Sequence, residues 1–280
     1  WSSDVCSSDL RVTVIGLGTI GSSAGRFVLD TSGSDTKFWG VMTVETDFTV
    51  LEQYGVFMFG RGTLTINTTT ESRCETITLP GLATSASTAA PCTATATEFG
   101  AGTGTTRTFL LAPQSFSIEV VGQVRIRVPG TTTDLVRMQG GFALHIDPAR
   151  FELFATSEIS FGIGDAQLTY SQTTGLIIIT TGVDGHRAGV AGMLKTGSSV
   201  DLGIPGVGDL FSASGSVSVM FNTTFEDQVF VIPESFHPLL RPGEPTSITI
   251  YRSAPGFDGQ RNPAGAPAGE GYVVATVQAS

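Results

Sequence analysis

An all-β chain is what this sequence predicts: an antiparallel meander of tandem repeats, two-layered or solenoid-like, with at most very short helices. Three observations carry that expectation. Only 14% of the 280 residues are charged and 35 are glycine, against roughly 25% charged in an average soluble domain. Lys37 and Lys195 are the only lysines, and a chain short of Lys and Glu but rich in Gly, Thr, Ser, Val and Phe forms strands more readily than helices. Apolar side chains recur with a period of two over strand-length runs. Finally, the chain repeats itself at an offset of about 155 residues, the mark of a repeat architecture. Apolar residues make up 40% of the chain, enough to bury a core and to argue against disorder.

Taken in order, residues 1–10 (WSSDVCSSDL) come first. Asp4 to Leu10 back-translates to GAC GTG TGC TCT TCC GAT CT, which resembles the end of a sequencing-library adapter. The stretch is read as adapter translated in frame and is set aside, with Asp4, Cys6 and Asp9. The natural N-terminus is then expected to be missing.

Val12 to Gly21 reads VTVIGLGTIG, an apolar strand followed by G-x-G-x-x-G on Gly16, Gly18 and Gly21, with Asp35 near the distance of a ribose-binding acid. A dinucleotide site needs a helix opening at the third glycine so that its N-terminus faces the pyrophosphate. Ser22 to Gly25 and the strand-like Phe27 to Leu29 leave no room for one, so the match is read as chance in a glycine-rich chain. A dinucleotide-binding oxidoreductase stays as a remote alternative.

The repeat sets the next elements. Gly60 to Thr69 (GRGTLTINTT) matches Gly215 to Thr224 (GSVSVMFNTT). Around it, Gly25 to Thr31 parallels Gly175 to Thr181, Gly40 to Met42 parallels Ala191 to Met193, and Ile77 to Pro80 parallels Phe230 to Pro233. Phe116 to Val121 parallels Tyr272 to Val277. Residues 11–165 therefore form a first repeat, truncated at its start, and residues 166–280 a second, truncated at its end. Asn67 and Asn222 each open an Asn-Thr-Thr sequence that fits a glycosylation acceptor, but their matched places read more simply as turn-forming asparagines at strand ends.

Between the copies the alternation is clearest in Arg150 to Phe161. One face carries Phe151, Leu153, Ala155, Ile159 and Phe161, and the other Glu152, Thr156, Glu158 and Ser160, with Phe154 as the exception. Val124, Ile126 and Val128 alternate with Arg125 and Arg127, and Phe142, Leu144 and Ile146 flank His145. Such strands are expected to bury one face. Turn signals separate them at Pro129-Gly130, Asp147-Pro148, Gly162 to Asp165 and Val183 to Gly185. The one helix signal, Pro233 to Leu240, supports a turn or two opened by a proline. Two segments interrupt the meander: an Ala/Thr/Ser/Gly stretch at 81–108 and a Pro/Gly-rich stretch at 253–271. Both read as loops that a repeated scaffold lets vary.

Little in the chain points to chemistry. The formal charge of −10 and pI of about 4.7 argue against nucleic acid, which needs a basic stripe. Cys74 and Cys92 stand 18 residues apart, before and within the first interrupting segment, and are read as a disulfide rather than as free thiols. That reading implies an oxidising compartment. His145, His186 and His237 stand apart from one another, and neither a G-x-S-x-G elbow nor an aspartate-rich calcium loop occurs. No catalytic, cofactor-binding or metal-ligating residue is expected. The longest apolar run, Leu176 to Ile179, is far short of a transmembrane helix.

Leu176 to Gly185 (LIIITTGVDG) with Gly189 to Met193, and Gly215 to Thr224, resemble a tandem β-repeat of about 150 residues found in giant bacterial proteins of the secreted or surface class. The resemblance implies a secreted or cell-surface array and no activity. The expected function is therefore a non-enzymatic structural or adhesive segment whose partners are neighbouring repeats of the same chain and an unspecified surface glycan or protein. The alternative is an open β-trough for lipid or another hydrophobic ligand, lined by Phe142, Leu144, Ile146, Phe151 and Phe161. The two are separated by whether that apolar face is closed by a second sheet.

Overall fold

The computed structural model describes residues 3–14, 18–47, 52, 55–78, 106–127, 134–163, 166–183, 185–204, 208–240, 243–254 and 271–279. These residues form an all-β protein. Its strands are β1 (Ser3–Val14), β2 (Gly18–Asp30), β3 (Lys37–Asp47), β4 (Val56–Asn67), β5 (Arg73–Thr78), β6 (Thr106–Leu111), β7 (Ser115–Arg127) and β8 (Asp134–Ile146). They continue with β9 (Arg150–Ile163), β10 (Ala166–Thr180), β11 (Gly189–Ile204), β12 (Gly208–Asn222), β13 (Gln228–Val231), β14 (Ser247–Ile250) and β15 (Tyr272–Ala279). Eleven of them pair as one antiparallel meander in the order β1-β2-β3-β4-β7-β8-β9-β10-β11-β12-β15. The sheet does not close into a barrel, and β1 and β15 are its edges. The adapter-like residues lie in β1, which pairs with β2 from Ser3 opposite Asp30 to Val14 opposite Gly18. A backbone ladder of this kind accepts any side chains that tolerate extended geometry.

Two small hairpins, β5–β6 and β13–β14, leave the meander at equivalent points, after β4 and after β12. A six-residue 3₁₀ helix, Glu234–Leu239, follows β13, with Pro233 before it. It is the short helix the sequence signals, and among the described residues none is long and apolar enough to cross a membrane.

Both hairpins pack on the same face of the sheet. Phe230, Ile232, Phe236, Leu239 and Ile250 pack on Val121, Ala143, Phe154, Leu176, Ile178 and Ala191. The Phe154 ring stacks on Phe230 at 5.1 Å and meets Phe236 edge-on at 5.3 Å, pairings that add to the burial itself. Phe154 thereby explains its break in the alternation: it faces the hairpin. In the first copy Ile77, Phe109 and Leu111 pack on Ala24, Val41 and Trp39. There Trp39 Nε1 donates to Glu75 Oε1 at 2.7 Å, and Arg26 pairs with the same carboxylate at 3.2 Å.

Each hairpin is tied to the long strand before it by one asparagine. Asn67, at the end of β4 and 1% exposed, donates through Nδ2 to the carbonyls of Glu71, Leu111 and Ala112 at 2.9, 3.1 and 2.9 Å. Its Oδ1 accepts from Thr69 N and Oγ1 at 2.9 and 2.7 Å. Asn222, at the end of β12 and fully buried, repeats the arrangement. Its Nδ2 reaches the carbonyls of Glu226, Ile250 and Tyr251, and its Oδ1 accepts from Thr224 N and Oγ1, both at 2.8 Å. An amide nitrogen so enclosed is a structural tie rather than a glycosylation acceptor.

The shared tie aligns the two hairpins and the strands beside them, and this alignment differs from the one read in the sequence. Asn67 faces Ser115 and Trp39, whereas Asn222 faces Tyr272 and Ala191. Gly40 therefore matches Gly192, and Phe116 matches Val273, each one residue from the expected register. Sterics agree with this. A Cβ on Gly40 would strike the ring of Phe27, and one on Gly192 the ring of Phe221. At both glycines a phenylalanine of a neighbouring strand lies across the backbone, Phe27 from β2 and Phe221 from β12. In the hairpins Ile77 matches Ile232, both buried, and Glu75 matches Phe230.

Turn chemistry closes the strands where expected. Asp147 Oδ1 accepts from the amides of Ala149 and Arg150 at 2.8 and 2.7 Å between β8 and β9. Gly182 and Gly185 take φ of 83° and 82° between β10 and β11, a region open to glycine and costly for other residues.

Replacing Asn222 with alanine leaves two or three buried carbonyls without a donor, and each such group costs about 1–3 kcal/mol. Asn222→Ala and Asn67→Ala are each expected to lower the unfolding free energy by at least ~2 kcal/mol, read from the urea midpoint. Asn222→Asp, which turns an oxygen toward the same carbonyls, is expected to cost more.

Candidate functional site: an uncharged apolar face

The register of the sheet sorts the side chains into two faces of opposite character. On the face away from the hairpins, β8 presents Met138, Phe142, Leu144 and Ile146 opposite Ile159, Ala155, Leu153 and Phe151 of β9. The same face continues outward through Ile118, Val120 and Val124 of β7 and Met58, Leu64 and Ile66 of β4. Met42 and Val44 of β3 extend it one way. In the other direction it runs through Ile177 and Ile179 of β10, Leu194 of β11, Val217 and Phe221 of β12, and Val273 and Val277 of β15. Among the described side chains, this face carries no charged group, only apolar residues with glycine, serine and threonine between them. Arg26, Glu45, Arg61, Glu119, Arg125, Arg137, Glu152, Glu158 and Lys195 point to the hairpin face.

The apolar face is uncovered, which corrects the expectation of a buried one. Phe142, Ile159, Phe161 and Ile177 are 40–45% exposed, close to what the flanking side chains of a flat sheet leave open. The reason lies in the hairpins, which pack on the mixed face through Phe154, Leu176 and Ile178. The face the chain covers is accordingly its polar one. From β2 to β15 the uncovered face crosses ten strands, roughly 43 Å at about 4.8 Å per spacing. Along β9 it runs from Phe151 to Phe161, roughly 35 Å at ~3.4 Å per residue. Contiguous apolar patches on monomeric proteins are commonly only about 300–600 Å², several-fold less.

The covered face holds a buried polar chain. Gln123 Nε2 donates to Gln139 Oε1 at 2.6 Å. Gln139 Nε2 donates to Glu158 Oε2 at 3.1 Å and to the carbonyl of Leu239 at 3.0 Å, and Arg137 Nη2 adds a bond to Gln139 Oε1 at 2.7 Å. Through these bonds three strands grip the C-terminal end of the 3₁₀ helix. A cleft of about 200 Å³ beside them, between the sheet and the second hairpin, is lined by Gln139, Phe154, Glu158, Thr174, Met193 and Phe236. Burial pushes the Glu119 carboxyl above the ordinary glutamate range, opposed by the bond Ser235 Oγ donates to its Oε2 at 2.8 Å. Burial likewise raises Glu152, opposed by Arg150 beside it. Tyr272, buried and near Asp227, is pushed up to about 12 and donates to the Tyr251 carbonyl at 2.9 Å.

The residues singled out in the sequence disperse. Cys74 lies in β5 and is disulfide-bonded, while Cys92 lies outside the described residues. Gly18 and Gly21 lie within β2, so a strand stands where a pyrophosphate site needs a helix N-terminus. Gly16 is outside the described residues, and Asp35 sits in the turn after β2. His145 Nε2 lies 3.2 Å from Asp147 Oδ2, and His186 Nδ1 3.0 Å from Glu226 Oε2. His237 Nε2 lies 3.1 Å from the Ile232 carbonyl. Among the described residues no group of three potential ligands could hold a metal. The five trough residues, by contrast, share one face, and the sheet extends them well beyond what the sequence singled out. Comparison with protein-family models, curated proteins and solved structures gives no match.

Two measurements bear on this face and its cover. A raised carboxyl pKa favours the protonated folded state, so these glutamates cost stability as pH climbs through and just above the ordinary carboxylate range. Glu119→Gln and Glu152→Gln are each expected to flatten that fall and to be neutral or stabilising at pH 7. Non-reducing peptide mapping is expected to join the Cys74 peptide to that of Cys92, and reduction to lower stability by on the order of 3 kcal/mol.

Proposed function

We propose that this chain is a non-enzymatic segment of a repeat-built β array, and that its uncovered apolar face is a surface for hydrophobic ligands. One observation carries the reading: a face with no charged group among its described side chains spans ten strands, while the chain's own hairpins cover the opposite, polar face. A water-soluble sheet ordinarily covers its apolar side, and a face of this size left open calls for an occupant.

The structural reading supplies the frame rather than a rival. The duplicated asparagine ties, on Asn67 and Asn222, support a scaffold made by repetition, in which neighbouring units extend the surface and share its stability. Among the described residues, the edge strand β15 leaves backbone open to such a neighbour. The disulfide at Cys74 supports an oxidising, secreted or cell-surface setting.

A solvatochromic dye such as anilinonaphthalene sulfonate tests the surface. The folded chain is expected to brighten it and shift its emission to the blue. Phe142→Lys combined with Ile177→Lys is expected to remove most of that signal while the strand signature in circular dichroism persists. Unchanged dye binding by this variant would count against the reading.

A further inference from the structure

Among the described residues no strand lies on the outer side of β15. The strand also lacks the features that ordinarily keep such an edge from pairing, which are lysine, proline, a bulge or very short length. Tyr272–Ala279 reads YVVATVQA, with no charge and no proline, and its eight residues pair with β12 without a register shift. Rich in valine, it is a good strand former. Its inner side is fixed. Asn222, whose amide ties the second hairpin, stands opposite Tyr272, and Tyr272 Oη donates to the Tyr251 carbonyl. Adding a strand to an edge already in place orders only the newcomer, while main-chain hydrogen bonds supply the attraction.

The chain itself contains the covered form of this edge. The asparagine tie sets β15 on β12 as it sets β7 on β4, so Val273 stands where Phe116 does, Ala275 where Ile118 does, and Val277 where Val120 does. On its outer side β7 is paired by β8, antiparallel, with Ile146, Leu144 and Phe142 opposite those three positions. The effect of that cover is visible in the side chains: Val120 is 39% exposed and Val277 76%. Transferred to β15, the same register sets isoleucine against Val273, leucine against Ala275 and phenylalanine against Val277, apolar cross-strand pairs of the kind that stabilise a sheet. On the other side of the sheet the positions of His145, Ala143 and Gly141 meet Val274, Thr276 and Gln278, so no like charges face each other. Gly141 answers a close approach, since a Cβ there would strike the Val120 carbonyl.

We propose that the outer edge of β15 docks one antiparallel strand of the β8 pattern, supplied by a neighbouring unit, in the register of the β7–β8 pair. This rests on the reading of the chain as a segment of a repeat-built array and is independent of the hydrophobic-ligand surface.

The experiment mixes the full chain with a synthetic peptide of residues 134–146 and follows amide hydrogen exchange along β15. In an antiparallel edge alternate amides point away from the paired strand. Exchange at every second residue from Val273 to Ala279 is therefore expected to slow by about tenfold at saturating peptide. Two further peptides carry backbone N-methyl groups, one on Gly141 and Ala143, the other on Phe142 and Leu144. Only one edge of a docked strand faces β15, so one peptide is expected to bind and the other to lose about tenfold or more in Kd. A peptide with Phe142→Lys and Leu144→Lys is expected not to bind, because it sets ammonium groups on apolar pairs. Binding by both N-methyl peptides, or by neither, would overturn strand docking. Unchanged exchange in β15, with the dye still brightened by the folded chain, would overturn this inference and leave the hydrophobic surface standing; loss of both signals would overturn both. Alternate amides already protected without peptide, in a dimer that dissociates on dilution, would overturn it in favour of β15 pairing with a second copy.

Discussion

A slip of one residue in any strand pair of the meander would carry arginines and glutamates onto the uncharged face and isoleucines under the hairpins. Because side chains alternate with a period of two, register is the constraint on which the rest of this structure depends. It is held across ten strand pairs in the large sheet, with register shifts at the ends of β1, β7, β10 and β11 rather than in their centres. The shifts lie near the turns, where an extra residue can be absorbed before it reaches the face. Between them, Gln123, Gln139 and Glu158 stand side by side on β7, β8 and β9. Their bonds to one another and to Leu239 make a misregistered pairing leave buried amides unpaired. The polar chain thus contributes specificity where the uniform apolar face, which tolerates any slip by two, cannot.

The asparagine ties act on the same problem from the strand ends. Each hairpin is an insertion that takes the chain out of the sheet and must return it to the adjacent position. Asn67 grips the carbonyls of Leu111 and Ala112 just before β7 begins, and Asn222 grips those of Ile250 and Tyr251 on the way to β15. One side chain therefore sets where the excursion closes, whatever lies in its interior. The excursion between β5 and β6 and that between β13 and β14 differ in length and sequence, and the closure is the same. What the copies share is the tie and not the filling: Glu75, bonded by Trp39 and Arg26, stands where Phe230 stacks on Phe154.

Much of this was legible in the sequence. Alternation in Arg150 to Phe161 places Phe151, Leu153 and Ile159 on one face, as β9 does, and the Gly60 and Gly215 segments lie in the strands β4 and β12. Pro233 does open a short helix. What the pattern could not show is which face is covered. Period two divides the side chains but does not say where a hairpin packs, and that choice turned on Phe154, Phe230 and Phe236, which are far apart in sequence. The register between copies was also out of reach by one or two residues. Gly40 aligns with Ala191 as readily as with Gly192 on paper, and only the ring of a cross-strand phenylalanine tells them apart. The site was half visible: five of its residues stood out, while Met42, Val120 and Leu194 were hidden in runs whose strands had not been joined into one sheet.

The covering of the polar face and the openness of the apolar one are two consequences of the same arrangement. Burying Gln139, Glu158 and the asparagine amides against protein supplies directed partners that a fluid ligand could not offer, since an unmatched polar group in hydrocarbon costs several kcal/mol. The apolar face needs no directed partner, so it can stay outside the cover of the hairpins without leaving a polar group unmatched. A chain that had done the reverse would have left Gln123 and Gln139 to find their partners outside the chain. Keeping the geometric demands inside the chain frees the outer surface to be uniform. Uniformity, in turn, is what lets the same face continue from β2 to β15 past both points at which a hairpin leaves the sheet.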